Sequence, residues 1–234
     1  TDILLKHQGT LDKYIGDAIV AFYGAPAPVQ DQEKKACSTA LGMREGLNNL
    51  RNKWKVENDW PEVVYSMQHR IGLNSGQMVT GNMGSQMRMN YTMMGDTVNL
   101  AARLEPAAKQ YGVYIIVGEN IYKATNDDYV FRFLDFLGVK GKNIPVRTYE
   151  LIDIKDQINK TSLELIETFE KGLDFYFNQD WENALEHFEK SKLLEDDFTG
   201  RNTNPSQVFI KRCNHFSMNP PPDDWDGVWR MTTK

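Results

Sequence analysis

The sequence predicts an α+β protein with a central, largely antiparallel sheet, followed by a small helical extension. Three observations predict it. Up to about residue 154, β-type runs and amphipathic helical runs are mixed rather than strictly alternating. From Thr161 to Glu195 the pattern is helical throughout, with no β-type run. The length of 234 residues suits one sizeable domain plus a smaller appendage. The expected division is therefore 1–154 and 155–234.

Taken in order, Thr1–Gln8 reads as the end of a helix with Ile3, Leu4 and Leu5 apolar, and Gly9 is placed as its C-cap. Leu11–Gly24 is two short β-type runs broken at Gly16 and Asp17, a hairpin that ends in a proline-marked loop. Asp31–Glu57 reads as one long helix, because Ala36, Ala40, Met43, Leu47 and Leu50 recur at three- and four-residue steps. After Pro61, Val63–Asn74 alternates and is expected to be a central strand, with Ser75–Gly81 continuing as a second strand or bend.

Tyr91–Glu105 begins as a strand, turns at Gly95 and Asp96, and opens a helix that Gly112 ends. Asp96 suits the N-cap position, and Val98, Ala101 and Ala102 can face a core. Val113–Val117 reads as a short buried strand and Gly118–Thr125 as the start of a helix. Tyr129–Leu137 and Val146–Ile152 read as strands flanking a turn at Lys140–Lys142. In the extension, Gly172, Trp181, Ala184 and Phe188 fall at positions resembling one tetratricopeptide helical hairpin. A lone unit of that kind cannot bury its own face, so it should dock on the preceding domain, a partner chain or upstream sequence. Pro205–Phe216 supplies one more helix. Asn219–Trp229 is an extended tail with Trp225 and Trp229, whose packing the sequence leaves open.

Composition narrows the function classes. A net charge of −5 without a basic stripe gives no footprint for nucleic acid. Cys37 and Cys213 are the only cysteines and lie far apart, which reads as two reduced thiols with no metal spacing. No apolar run approaches the roughly 18 residues that span a bilayer, and no signal peptide is visible. The chain starts at Thr1 in what reads as mid-helix, so it is expected to be a fragment, cytoplasmic, with an upstream sensor or membrane segment left open.

Two stretches carry chemistry. Asn99 and Arg103 lie four residues apart on one helix face; an amide and a guanidinium side by side suit a sugar oxygen and a phosphate. Asp17, at a hairpin tip, offers a carboxylate that a hard cation such as magnesium could use. The pattern Lys-x-x-x-Asp at 13–17 and the pattern Thr-x-x-Gly-Asp-x-x-Asn-x-x-x-Arg at 92–103 together resemble the class III nucleotidyl cyclases. His69–Gly76 and Val139–Lys142 fit the same family in the same order, so the resemblance covers Leu11–Leu151.

That resemblance implies a ferredoxin-like βαββαβ core and an intramolecular reaction. The ribose 3′ oxygen of ATP attacks the α-phosphorus, and cyclic AMP and pyrophosphate form. It implies a two-metal centre of Mg2+ or Mn2+, with Ca2+ as an alternative in one position. Asp17 matches the second metal-binding aspartate; the first belongs to a strand that would precede Thr1, and neither Asp2 nor Asp12 is in the right context. Arg103 matches the arginine that stabilises charge at the α-phosphate, and Asn99 the residue that orients the ribose. Arg70 and Lys140 are candidates for the β- and γ-phosphates, with Lys142 as the alternative to Lys140.

Base choice falls to Lys13 and Thr92. An ammonium can donate to adenine N1 and a hydroxyl can accept from N6, whereas guanine reverses that demand. The Lys–Thr pair resembles the subclass, including soluble adenylyl cyclases, that responds to bicarbonate. In this family the site forms between two wrapped domains, so a homodimer is expected. No Gly-Gly-Asp/Glu-Glu-Phe signature of a diguanylate cyclase is present. The alternative is a catalytically degenerate cyclase-fold module that binds nucleotide or bicarbonate and regulates a partner.

Overall fold

The computed structural model describes residues 1–138, 145–196, 201–222 and 224–229. The first part runs α1 (Asp2–Lys6), β1 (Thr10–Ile15), β2 (Ala18–Phe22), α2 (Gln32–Glu57), β3 (Ile71–Leu73), β4 (Val79–Ser85), β5 (Arg88–Met94) and α3 (Asp96–Tyr111). Then come β6 (Ile115–Gly118), α4 (Glu119–Thr125), β7 (Tyr129–Leu137), β8 (Val146–Ile154), α5 (Lys160–Phe177), α6 (Trp181–Lys192) and α7 (Pro205–Met218). The α+β class holds. Among the described residues the strands divide among three sheets: β3-β6-β8-β7, and two separate hairpins, β1-β2 and β4-β5. In the larger sheet β3 runs parallel to β6, while β6-β8 and β7-β8 are antiparallel.

Both faces of that sheet are covered, which explains why β6 reads as an unbroken apolar run rather than an alternating one. Ile115 and Val117 pack on one side with Cys37, Ala40 and Leu41 of α2 and Ile121 of α4. Ile116 packs on the other side with Leu104, Ala107, Ala108 and Tyr111 of α3. The helical extension shares this second cluster through Phe169, Tyr176, Phe188, Phe209 and Phe216. The α5–α6 hairpin therefore buries its face on the preceding domain. The tail closes over the same cluster, with Trp225 5.2 Å and Trp229 5.0 Å from Phe216 between ring centres.

Buried ion pairs line this seam. Arg132 of β7 is 1% exposed and bonds Glu150 of β8 at 2.6 Å and Glu195, just after α6, at 2.8 Å. Glu195 also meets Arg201 at 3.1 Å and accepts from the Ser206 hydroxyl at 2.8 Å. Burial alone would raise the Glu195 carboxyl, but Arg132 and Arg201 hold it below the usual carboxylate range. Asp135 of β7 accepts from Arg212 of α7 at 2.5 Å and from the Tyr111 hydroxyl at 2.6 Å. Both cysteines, Cys37 and Cys213, are free and buried, and burial pushes their thiols up to about 12.

Several local expectations give way. Val63–Asn74 is not one strand: Glu62–Ser66 forms a short 3-10 turn and only Ile71–Leu73 is β. Pro61 starts the turn, and β3 is held to three residues by its pairing with β6. Gly9 is not the left-handed residue after α1; Gln8 takes that role with φ 64. The Gly9 and Gln8 amides close a Schellman turn on the Leu4 and Leu5 carbonyls. Asp96 is the first helical residue rather than the cap, which is Gly95. Ala102 is exposed, and the buried side of α3 begins at Leu104.

Candidate active site

The two hairpins and the start of α3 carry most of the candidate residues. Lys13 lies on β1 and Thr92 on β5. Although 79 positions apart, the Lys13 Nζ donates to Thr92 Oγ1 at 3.2 Å. Asn99 and Arg103 follow on α3, both exposed and sharing one face. Among the described residues neither side chain has a hydrogen-bond or ion-pair partner. Asp17 is exposed at the β1-β2 turn, where Gly16 takes φ 61.

Arg70 already has a carboxylate partner. Its Nε donates to Glu105 of α3 at 2.8 Å, so any anion it served would have to compete with that carboxylate. Lys140 and Lys142 lie outside the described residues.

A residue that the sequence reading set aside sits beneath the Lys13–Thr92 pair. The β1-β2 register slips between Leu11 and Lys13, leaving Asp12 as an extra residue. In a regular strand Asp12 and Lys13 would point to opposite faces; the slip brings both to Thr92. The Thr92 hydroxyl donates to Asp12 Oδ2 at 2.7 Å, and Lys13 Nζ lies 3.3 Å from the same oxygen. The Asp12 side chain is 2% exposed, against 44% for Lys13. Strict period-two reading hides Asp12; an acidic residue next to Lys13 was the one signal available.

Close by, a cavity of about 130 Å³ is lined by Phe22, Glu33, Leu73, Asn74, Ser75 and Thr97. It has room for a few waters, at about 30 Å³ each, and is well short of a nucleotide pocket. Ser75 donates to Glu33 at 2.6 Å; burial pushes the Glu33 carboxyl up, yet this and its other hydrogen bonds bring it below its ordinary value. Lys13, Asn99 and Arg103 are instead exposed, with Thr92 half-buried beside Lys13. For a metal, Asp17 offers one exposed carboxylate, and no group of three or more potential ligands occurs among the described residues.

Residues 2–153 match the family model described as the adenylate and guanylate cyclase catalytic domain. The chain belongs to that family. Its curated relatives include the terminal-differentiation-specific adenylate cyclase of Dictyostelium discoideum, 28% identical over 88% of this chain and 9% of that protein. Adenylate cyclase 1 of Rhizobium meliloti is 30% identical over 69% of this chain and 24% of its own length. The chain thus spans less than a quarter of these cyclases. Among solved structures, the adenylyl cyclase CyaB from P. aeruginosa aligns with TM-score 0.57 and 31% identity, covering 68% of this chain and 79% of that one. The guanylyl cyclase Cya2 aligns with TM-score 0.55 and 27% identity over 68% and 77%. The described cyclase domain and its extension contain no helix long and apolar enough to cross a membrane.

Proposed function

We propose that this chain is the catalytic region of an adenylyl cyclase, converting ATP to 3′,5′-cyclic AMP and pyrophosphate. The observation that carries the base choice is the Lys13–Thr92 contact, which offers a donor and an acceptor side by side, as adenine N1 and N6 require. Asn99 would orient the ribose. Arg103, exposed and unpaired among the described residues, would stabilise charge developing on the α-phosphate. Arg70 and Lys140 are assigned to the β- and γ-phosphates, Arg70 only after release from Glu105.

The site is proposed to be shared across a homodimer, with Asp17 of one protomer facing Lys13, Thr92, Asn99 and Arg103 of the other. Two features support this. Lys13, Asn99 and Arg103 of the substrate group are exposed rather than enclosed in a pocket. The same two hairpins also expose apolar side chains, among them Tyr14, Ile15, Val79, Met87, Met89 and Met94, as a surface awaiting a partner does. Catalytic domains of this family depend on divalent metal. Here Asp17 would be one ligand, alongside substrate phosphates and an aspartate from upstream of Thr1, with Mg2+ or Mn2+ the expected ion. Bound there, the metal would neutralise charge on the phosphates.

The division into a catalytic domain, 1–154, and a helical extension, 155–234, a cytoplasmic setting and activation by bicarbonate belong to the same proposal. Bicarbonate is tested by a dose series at fixed pH; an unchanged rate removes it. The reaction is tested by measuring cyclic nucleotide formation from ATP and from GTP, with Mg2+ or Mn2+, in the full-length protein. Cyclic AMP from ATP, lost on Asp17→Ala, supports the reading. Cyclic GMP as the main product refutes the assignment of Lys13 and Thr92. Silence with both substrates in a proven dimer favours a regulatory module instead.

A further inference from the structure

We infer that Asp12 is the positioning residue that makes this site read an amino group rather than a carbonyl, by fixing the direction of the Thr92 hydroxyl. The inference rests on the proposed adenine reading of Lys13 and Thr92. A free threonine hydroxyl is indifferent, because it can donate to guanine O6 as readily as it accepts from adenine N6. Here its single hydrogen is committed to Asp12 Oδ2 at 2.7 Å. One lone pair takes the Lys13 ammonium at 3.2 Å, and the other remains for an incoming donor. An N6 amino group satisfies it; an O6 carbonyl meets a lone pair, so two acceptors face each other with no hydrogen between them.

Asp12 acts on Lys13 as well, since the ammonium lies 3.3 Å from the same oxygen. Both contacts depend on the one-residue slip in β1 that turns Asp12 and Lys13 the same way. The remaining oxygen, Oδ1, is buried without a hydrogen-bond partner among the described residues. An apolar residue would avoid that cost, so the carboxylate is better explained by what it does to Thr92 than by stability.

The test is the ratio of GTP to ATP dissociation constants, measured by competition against a fluorescent ATP analogue in the presence of Mn2+. Both nucleotides are titrated into the same preparation, so a partly unfolded variant leaves the ratio intact. Thr92→Ala and Asp12→Ala should each reduce the preference for ATP by about tenfold, one hydrogen bond's worth of discrimination. The double variant should be no less selective than Thr92→Ala alone, because the two residues act as one unit. Asp12→Asn should keep most of the preference, since its amide oxygen, selected by the Lys13 ammonium, still accepts from Thr92. If Asp12→Ala weakens both nucleotides equally while Thr92→Ala loses selectivity, Asp12 is merely structural and the inference fails while the base reading stands. If Thr92→Ala and Lys13→Ala both leave the ratio unchanged, the base reading itself fails and takes the inference with it.

Discussion

The two sides of α3 belong to different kinds of structure. The exposed side presents Asn99 and Arg103 with no partner among the described residues. The buried side, Leu104, Ala107, Ala108 and Tyr111, is packed into the extension's aromatic cluster. Its C-terminal end is gripped too: Arg201 Nε donates to the Gly112 carbonyl at 2.9 Å. Gly112 takes φ 65, and an added Cβ there would lie 1.9 Å from the Thr203 carbonyl oxygen. Unsatisfied polar groups can wait for a substrate only on an element held from elsewhere, and here the holding is done from behind. On this account the extension is the support of the helix that carries Asn99 and Arg103.

If so, damage to the two sides should separate cleanly. The largest expected effect is on the seam: Arg132→Ala leaves Glu150 without its cation and Glu195 with Arg201 alone, and should destabilise the fold by about 3–5 kcal/mol. Chemical denaturation should report it as a lower midpoint. Arg103→Ala should do the reverse, lowering the cyclisation rate about 10²–10³-fold with little change in that midpoint. A large stability loss there would mean that Arg103 is structural.

Gly172→Ala should cost about 1–3 kcal/mol, because the new methyl meets Phe188 at 2.8 Å. That would outweigh the gain in helix propensity and show in the thermal midpoint. The smallest effect is pH dependence. Because Glu195 is held below its unfolded value, its contribution is present above the ordinary carboxylate pKa and lost as pH falls through the folded one. Stability should therefore fall with acidification below about pH 4, and Glu195→Gln should flatten that fall.

The two regions also differed in how much the sequence revealed. The strand at Tyr129–Leu137 was readable to the residue, because it is a continuous run dense in aromatic side chains that starts just after the Asn126–Asp128 turn. The cyclase motifs marked Lys13, Thr92, Asn99 and Arg103 as candidates through resemblance, although spacing alone gave only the Asn99–Arg103 pair. Asp12 was missed because a one-residue slip breaks the period-two rule, and no local signal marks where a strand will slip. The seam was invisible for a different reason. Arg132 and Glu195 are 63 positions apart, as Asp135 and Arg212 are 77 apart, and pairing over such distances is set by packing rather than by neighbours. Val63–Asn74 misled because an alternating run needs a partner strand along its whole length, and only Ile71–Leu73 has one.

The most direct test of the shared catalytic face is complementation in the full-length protein. Asp17→Ala and Arg103→Ala should each be nearly inactive alone. Mixed in equal amounts and allowed to exchange subunits, they should recover about a quarter of wild-type cyclic AMP formation, since half the dimers carry one intact site of two. Exchange demonstrated without any recovery would contradict a site built from Asp17 of one protomer and Arg103 of the other.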